Sequence, residues 1–212
     1  MRLVLASTNQ GKLREVRRLL GSLGFTVVSL AEAGLDPRLE LPETGDSFEH
    51  NALEKTRALQ EMLGGWVLGD DSGLEVDALG GAPGVRSARY AGVELPGRER
   101  DLANVRLLLR ELEGVEPERR TARFVCVVAL VRPDGQSLLA RGTCEGRIIE
   151  VPRGESGFGY DPVFLPRGRR RTMAELSMDE KNAISHRGRA LRKLARRLRE
   201  RGWVVGDGAR PD

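Results

Sequence analysis

The first thirty residues constrain the fold more than any other stretch. The apolar run Leu3-Val4-Leu5-Ala6 passes into the polar segment Ser7-Thr8-Asn9-Gln10-Gly11-Lys12. Leu13, Val16, Leu19, Leu20 and Leu23 then recur three and four apart, as on one face of a helix closed by Gly24. Phe25 to Leu30 reads as a second strand. A strand, a crossover helix and a second strand predict a parallel pair, and hence an α/β protein.

The remaining chain alternates in the same way. A Pro-bounded loop from Asp36-Pro37 to Pro42-Glu43-Thr44-Gly45 precedes a helix expected from about Ser47 to Leu63, capped by Asp46 or Ser47 and stopped at Gly64-Gly65. Its stripe is Phe48, Asn51, Ala52, Lys55, Leu59 and Met62, so Asn51 and Lys55 share a face. Trp66-Val67-Leu68 reads as a third strand that ends in Gly69-Asp70-Asp71-Ser72-Gly73. Residues 75–97 read as a long ordered loop, and Leu102 to Leu112 as a helix. Arg123–Arg132 and Ser137–Cys144 form a hairpin about Pro133-Asp134-Gly135-Gln136, a turn expected to bring Cys126 near Cys144 as two reduced, buried thiols. A Gly-rich loop at 154–161 leads to a strand at Pro162–Leu165 and a solvated basic turn at Arg167–Arg171. The pattern Ser177-x-x-Glu180 is a capping box, and the last helix has Ala190, Leu191, Leu194 and Leu198 on its apolar face. No repeat or linker divides the chain.

Composition removes several function classes. Hydrophobic residues are 40% and charged residues 31%, a globular balance. The longest apolar run, Phe124 to Val131, is far below the ~20 residues a membrane helix needs. Leu3–Ala6 is too short for the core of a signal peptide, and two cysteines 18 apart match no zinc or redox spacing. A cytoplasmic protein with no membrane partner is expected. Lys and Arg total 35 against 31 acids, for a net charge of +4, which argues against a dedicated duplex-binding protein. Only four of the basic residues are lysines, at 12, 55, 181 and 193; Lys12 and Lys181 fall inside the clusters described next, and Lys55 shares the helix face of Asn51.

Four clusters could carry chemistry. Ser7, Thr8, Asn9, Gln10, Gly11 and Lys12 lie where a strand enters a helix N-terminus, a place that favours anions. The segment is not a Walker A loop: Ala6 stands where the first Gly would be, and Leu13 follows the lysine, so carboxylates elsewhere must hold any metal. Asp70 and Asp71 follow a buried strand, and adjacent strand residues face opposite sides, so one at most enters a shared site. Glu43 is a candidate second oxygen ligand, which suits magnesium, a cation that takes one or two carboxylates plus substrate phosphates. In Ser156-Gly157-Phe158-Gly159-Tyr160-Asp161, glycines flank two aromatics in a chain with 4% aromatics; the rings either stack on a base or plug the core. Lys181 with Ser185-His186-Arg187 could supply donors to a carbonyl oxygen.

Together the motifs resemble one family. Ser-Thr-Asn-Gln-Gly-Lys at 7–12, Glu-Thr-Gly-x-Ser-Phe-x-x-Asn-Ala-x-x-Lys at 43–55, Asp-Asp-Ser-Gly-Leu-x-Val-Asp-Ala-Leu at 70–79, Gly-Gly-Ala-Pro-Gly-Val-x-Ser-Ala-Arg-Tyr at 80–90, Phe-Gly-Tyr-Asp-Pro at 158–162 and Ile-Ser-His-Arg-Gly at 184–188 are similar to those of the inosine/xanthosine triphosphate pyrophosphatases. The resemblance runs from residue 3 to about 200 and includes loops as well as hydrophobic positions. It implies an α/β fold with an elongated mixed central sheet, flanking helices and two lobes with a cleft between them. Residues 1–202 would be the pyrophosphatase domain, and 203–212 a C-terminal tail.

The resemblance also implies hydrolysis of ITP, dITP and XTP to the monophosphate and pyrophosphate with Mg²⁺, by a homodimer that cleanses the nucleotide pool. Ser7 to Lys12, Asn51 and Lys55 would bind the triphosphate. Asp71 would be the catalytic carboxylate and a metal ligand, Glu43 would share the metal, and Asp70 is a further candidate for it. Ser72, Phe158, Gly159, Tyr160, Asp161, Lys181, His186 and Arg187 would line the nucleotide pocket. Donors aimed at a 6-oxo group would meet the N6 donor of adenine, a mismatch of ~2–4 kcal/mol. Guanine differs by its 2-amino group and would be rejected sterically or by leaving that amine unpaired. Two rivals remain: a related pyrophosphatase acting on other abnormal nucleotides, and nucleic-acid binding by Arg187, Arg189, Arg192, Lys193, Arg196, Arg197, Arg199 and Arg201. Most of the latter lie off the apolar face, so a solvated helix is the simpler reading.

Overall fold

The predicted strand–helix–strand start is present in the computed structural model, which describes residues 1–21 and 24–204. β1 (Arg2–Leu5) is followed by α1 (Gln10–Gly21) and β2 (Thr26–Val28), and β1 and β2 pair in parallel with Leu3 opposite Val27. Leu23 of the expected helix stripe lies outside the described residues. The remaining elements are α2 (Phe48–Leu63), β3 (Val67–Val76), α3 (Gly97–Glu111), β4 (Thr121–Val131), β5 (Ser137–Ile148), β6 (Phe164–Pro166), α4 (Met178–Ile184) and α5 (His186–Glu200). The six strands form one mixed sheet in the order β2-β1-β3-β4-β5-β6, parallel between β1 and β3 and antiparallel between β5 and β6.

The chain divides into two compact units. The first comprises Met1–Asp71, Cys126–Gly142 and Arg187–Asp212. Here the strand alternation sorts side chains between two cores. Leu3, Leu5 and Leu68 pack with Leu13, Val16 and Leu20 of α1 and with Ala190, Leu191, Leu194 and Leu198 of α5. Val4, Ala6 and Val67 pack on the other side with Leu59 of α2. Leu194 and Leu198 are fully buried, and truncating either to alanine would cost ~2–5 kcal/mol. Trp203 and Val204 belong to this core, while residues 205–212 of the expected tail lie outside the described residues. Arg189, Arg192, Arg196 and Arg199 of α5 are exposed and Lys193 and Arg197 half-buried, in keeping with a solvated face, whereas Arg187 is buried.

The second unit comprises Ser72–Val125 and Thr143–His186. Its core joins Leu74 and Val76 of β3 to Val105 and Leu108 of α3, to its C-cap Leu112, and to Phe124, Ile148 and Phe164. The Phe124 and Phe164 rings lie 4.4 Å apart.

Three expectations are corrected. β3 does not end in the Gly69–Gly73 segment but continues through the Asp pair to Val76; its register with β1 stops at Leu68, and β4 is its neighbour on the other side. The 75–97 segment is an ordered loop with 3₁₀ turns at Asp77–Leu79 and Gly84–Arg89, but α3 begins at Gly97 rather than Leu102. The hairpin register is one residue away from that expected. Gly135 adopts φ +79°, Gly135 N–H donates to Arg132 O, and Arg132 N–H donates to Gln136 O, a three-residue loop with a bulge. Ile148 N–H to Arg120 O keeps the same register at the far end of the pair, which sets Cys144 opposite Phe124 instead of Cys126. Both are buried, reduced thiols, in separate cores.

Candidate active site

In the first unit the site is built on the alternation of β3. Asp70 points to the α1 and α5 side and Asp71 to the α2 side, so two adjacent acids enter different surroundings.

Asp70 is fully buried and surrounded by cations. Lys12 Nζ lies 3.2 Å from its Oδ2, and Arg187 donates to the same oxygen from Nε at 3.2 Å and Nη2 at 3.1 Å. Arg187 Nη1 donates to Glu15, a buried acid on α1 that sequence reasoning overlooked. Its position one turn after Lys12, on the inward side of α1, was the available signal. The Cys126 thiol also faces Asp70 Oδ2. Burial alone would raise the Asp70 carboxyl, yet Lys12, Arg187 and Lys55 outweigh it and hold the group well below the carboxylate range. Cys126 is pushed up to about 12 by burial, reinforced by the Asp70 charge. Asp70 is therefore an ionised partner of Lys12 and Arg187.

Asp71 has a different environment. Asn51 Nδ2 donates to its Oδ2 at 3.1 Å, and Asn51 Oδ1 accepts from Gly45 N–H at 2.8 Å, which fixes which end of the amide faces the acid. One turn along α2, Lys55 donates to Glu43 Oε1 at 2.5 Å and is itself buried. Glu54 clamps the Pro-Glu-Thr-Gly loop on α2 by accepting from Thr44 N–H and Thr44 Oγ1, both at 2.8 Å. Burial and the Glu43 charge push Asp71 up while Lys55 and Lys12 pull it down, and the net direction is upward. The helix can approach this closely because position 69 is glycine: a Cβ there would overlap Thr56 Oγ1 and lie 3.1 Å from Ala52 O.

The segment at the start of α1 is less open to an anion than the sequence suggests. Asn9 caps the helix, its Oδ1 accepting from Gly11 N–H at 2.8 Å and Lys12 N–H at 3.1 Å. Ser7 Oγ accepts from Asn9 N–H, while Thr8 and Gln10 are exposed. The element thus presents hydroxyl, amide and lysine side chains more than bare backbone donors.

The second unit gathers most of the other predicted residues. Asp161 Oδ2 accepts from Phe158 N–H at 2.9 Å and from Lys181 Nζ at 2.7 Å, and the Lys181 ammonium stands 4.7 Å from the centre of the Phe158 ring. Gly157, at φ +82°, makes the turn possible, since a Cβ would run into the Asp161 carboxylate. His186 stacks on Phe124 with ring centres 4.8 Å apart. Phe158 is half-buried, whereas Tyr160 is a core plug: it is 4% exposed and its hydroxyl donates to Ser87 O at 2.9 Å. Ser72 is half-buried on β3. Arg187, expected with these residues, bonds Asp70 and Glu15 in the first unit.

Among the described residues no group of three or more His, Cys, Asp or Glu side chains is placed to hold a metal. Asp71 and Glu43 offer hard oxygen donors, and burial together with the nearby Glu43 charge raises the cost of ionised Asp71. That donor set fits a hard divalent cation that keeps water and substrate oxygens as its other ligands.

Residues 3–197 match the model of the Ham1 family. A dITP/XTP pyrophosphatase of Bacillus licheniformis is 51% identical over 192 residues, covering 91% of this chain and 95% of its own length. One from Symbiobacterium thermophilum is 52% identical over 198 residues, covering 93% and 94%. The solved structure of a HAM1 protein from Coxiella burnetii superimposes with a TM-score of 0.81 at 41% identity, covering 94% of this chain and 99% of that one. On sequence and fold alike, the chain belongs to the Ham1 family.

Proposed function

We propose that this chain hydrolyses deaminated purine nucleoside triphosphates, namely ITP, dITP and XTP, to the monophosphate and pyrophosphate. The carrying observation is the convergence of Asp71, Asn51, Lys55 and Glu43 in a chain half identical to proteins named dITP/XTP pyrophosphatase. Residues 1–202 serve as the pyrophosphatase domain in this reading, acting in the cytoplasm as a homodimer that clears the nucleotide pool.

Asp71 and Glu43 would hold Mg²⁺, which supplies charge neutralisation on the triphosphate and acidifies bound water. Lys12, Lys55 and the polar groups of residues 7–11 bind the phosphates, and Asn51 holds Asp71 in place. Asp71 orients the attacking water and takes its proton as the oxygen adds to the α-phosphorus. The bond from that phosphorus to the bridging oxygen breaks, and pyrophosphate leaves. Asp70 keeps Lys12 aimed from β3, a role supported by the 3.2 Å ion pair.

The second unit is assigned the base. Phe158 offers a ring, and Lys181 and His186 are donors suited to the 6-oxo group that separates hypoxanthine and xanthine from adenine. Arg187 is given the task of fixing Asp70, on the strength of its bonds to Asp70 and Glu15.

The test is product analysis with Mg²⁺ and ITP, XTP, GTP and ATP. Pyrophosphate released from ITP and XTP, with little from GTP or ATP, is expected. Release of inorganic phosphate instead would move the attack to another phosphorus and remove the roles given to Asp71 and Lys12.

A further inference from the structure

α3 holds the loop assigned to the base once directly, at Gly159, and once through the 84–91 turn, and neither helix residue that does so is among those assigned to substrate. Asp101 Oδ2 accepts from Gly159 N–H at 2.8 Å. Asn104, one turn on and 2% exposed, donates to Ser87 O at 3.3 Å and Ala88 O at 3.2 Å, and accepts from Ala91 N–H at 2.8 Å. Ser87 O is also the acceptor for the Tyr160 hydroxyl. The helix therefore holds residue 159 directly and residue 160 through the 84–91 turn.

Phe158 lies beside those anchors. Its own N–H is held by Asp161, the next N–H along the chain by Asp101, and its ring is faced by Lys181. A carboxylate accepting from a backbone N–H makes a stronger bond than a neutral acceptor does. Of the two anchors on α3, Asp101 is the one that touches the loop, and it is half-buried.

We propose that Asp101 is a positioning residue for base recognition: by holding Gly159 it sets the orientation of the Phe158 ring. This role rests on the assignment of Phe158 and Lys181 to the base. Without Asp101 the loop acquires freedom that a bound base must remove, so the loss falls on base-dependent affinity. The groups assigned to the α-phosphorus all lie in the first unit, so turnover at saturation is preserved.

The experiment compares steady-state hydrolysis of ITP by the full chain and by Asp101→Ala, with inorganic tripolyphosphate as a competitive probe of phosphate binding. Asp101→Ala is expected to raise KM for ITP about tenfold while kcat stays within about twofold and the inhibition constant for tripolyphosphate is unchanged. Asp101→Asn, which keeps an acceptor oxygen, should restore KM to within about threefold of the parent. An unchanged KM, a fall in kcat alone, or an equal weakening of tripolyphosphate overturns the proposal. If Asp101→Ala does not fold, Asp101→Ser, too short to reach Gly159, carries the same comparison. A parent chain inactive on ITP overturns the assignment of the site itself, whereas an active parent with an indifferent Asp101→Ala overturns only this role.

Discussion

The ion pair of Asp70 with Arg187 and that of Asp161 with Lys181 are both buried, yet they are held in different ways. Asp70 is on a central strand, and its partners Lys12 and Arg187 are on α1 and α5. Asp161 is in a loop, and the oxygen that receives Lys181 also receives the N–H of Phe158. In the first case regular elements fix the charges; in the second the charges fix an irregular segment. A buried pair on rigid elements suits chemistry that tolerates little displacement, and a loop tied by its own acid suits recognition of a flat ring.

Four measurements test this contrast. The largest effect is expected at Asp71: Asp71→Asn should lower kcat by on the order of 10³-fold while equilibrium binding of ITP is retained. Near-parental pyrophosphate release would show that the strand side does not carry the reaction. Next, Asp70→Ala leaves Lys12 and Arg187 short of their shared anion and should cost ~3–5 kcal/mol in urea unfolding. A loss below ~1 kcal/mol would mean the regular elements need no such pair.

His186→Ala should then reduce the preference for ITP over ATP about tenfold with little change in tripolyphosphate inhibition. Equal losses for both nucleotides would take His186 out of base recognition. The smallest effect is expected at the α4 cap. Ser177 N–H and Arg171 hold the exposed Glu180 carboxyl down to about 2, against an ordinary value of 4.5. The folded-state value is depressed, so its stabilisation is present above pH 4.5 and is lost as pH falls towards 2. Glu180→Gln should lower Tm at pH 7 by no more than a few degrees, and the difference should vanish in thermal melts near pH 2.

Local signals made much of this arrangement legible. Ser47 caps α2 by accepting from His50 N–H, the Ser177 and Glu180 box is present, and Asn51 and Lys55 do share a face directed at one group of acids. The misses share a cause, in that neighbours overrode local chemistry. Gly69-Asp70-Asp71-Ser72-Gly73 has the composition of a turn, but it lies inside β3, whose sheet neighbour β4 favours an extended chain. The start of α3 was hidden by the polar first turn of Arg98, Glu99, Arg100 and Asp101. Arg187 sits among surface arginines in sequence, and only the packing of α5 on α1 and β3 reveals that it points inward. Tyr160 and Phe158 are equivalent in the sequence, and the acceptor at Ser87 O separates them.

Gly69 has a consequence for how such a chain can vary. The space its missing methyl leaves is filled by Thr56 and the Ala52 carbonyl, so this position sets the spacing between the helix of Lys55 and the strand of Asp71. A change at residue 69 is therefore a change in a working dimension, one that shifts Lys55 and Asn51 without replacing either. Misplacement by ~1 Å can cost about a hundredfold in rate. The residue with no chemistry of its own acts as a gauge, and any lineage that repacks this junction must recalibrate Thr56 and Ala52 in the same step.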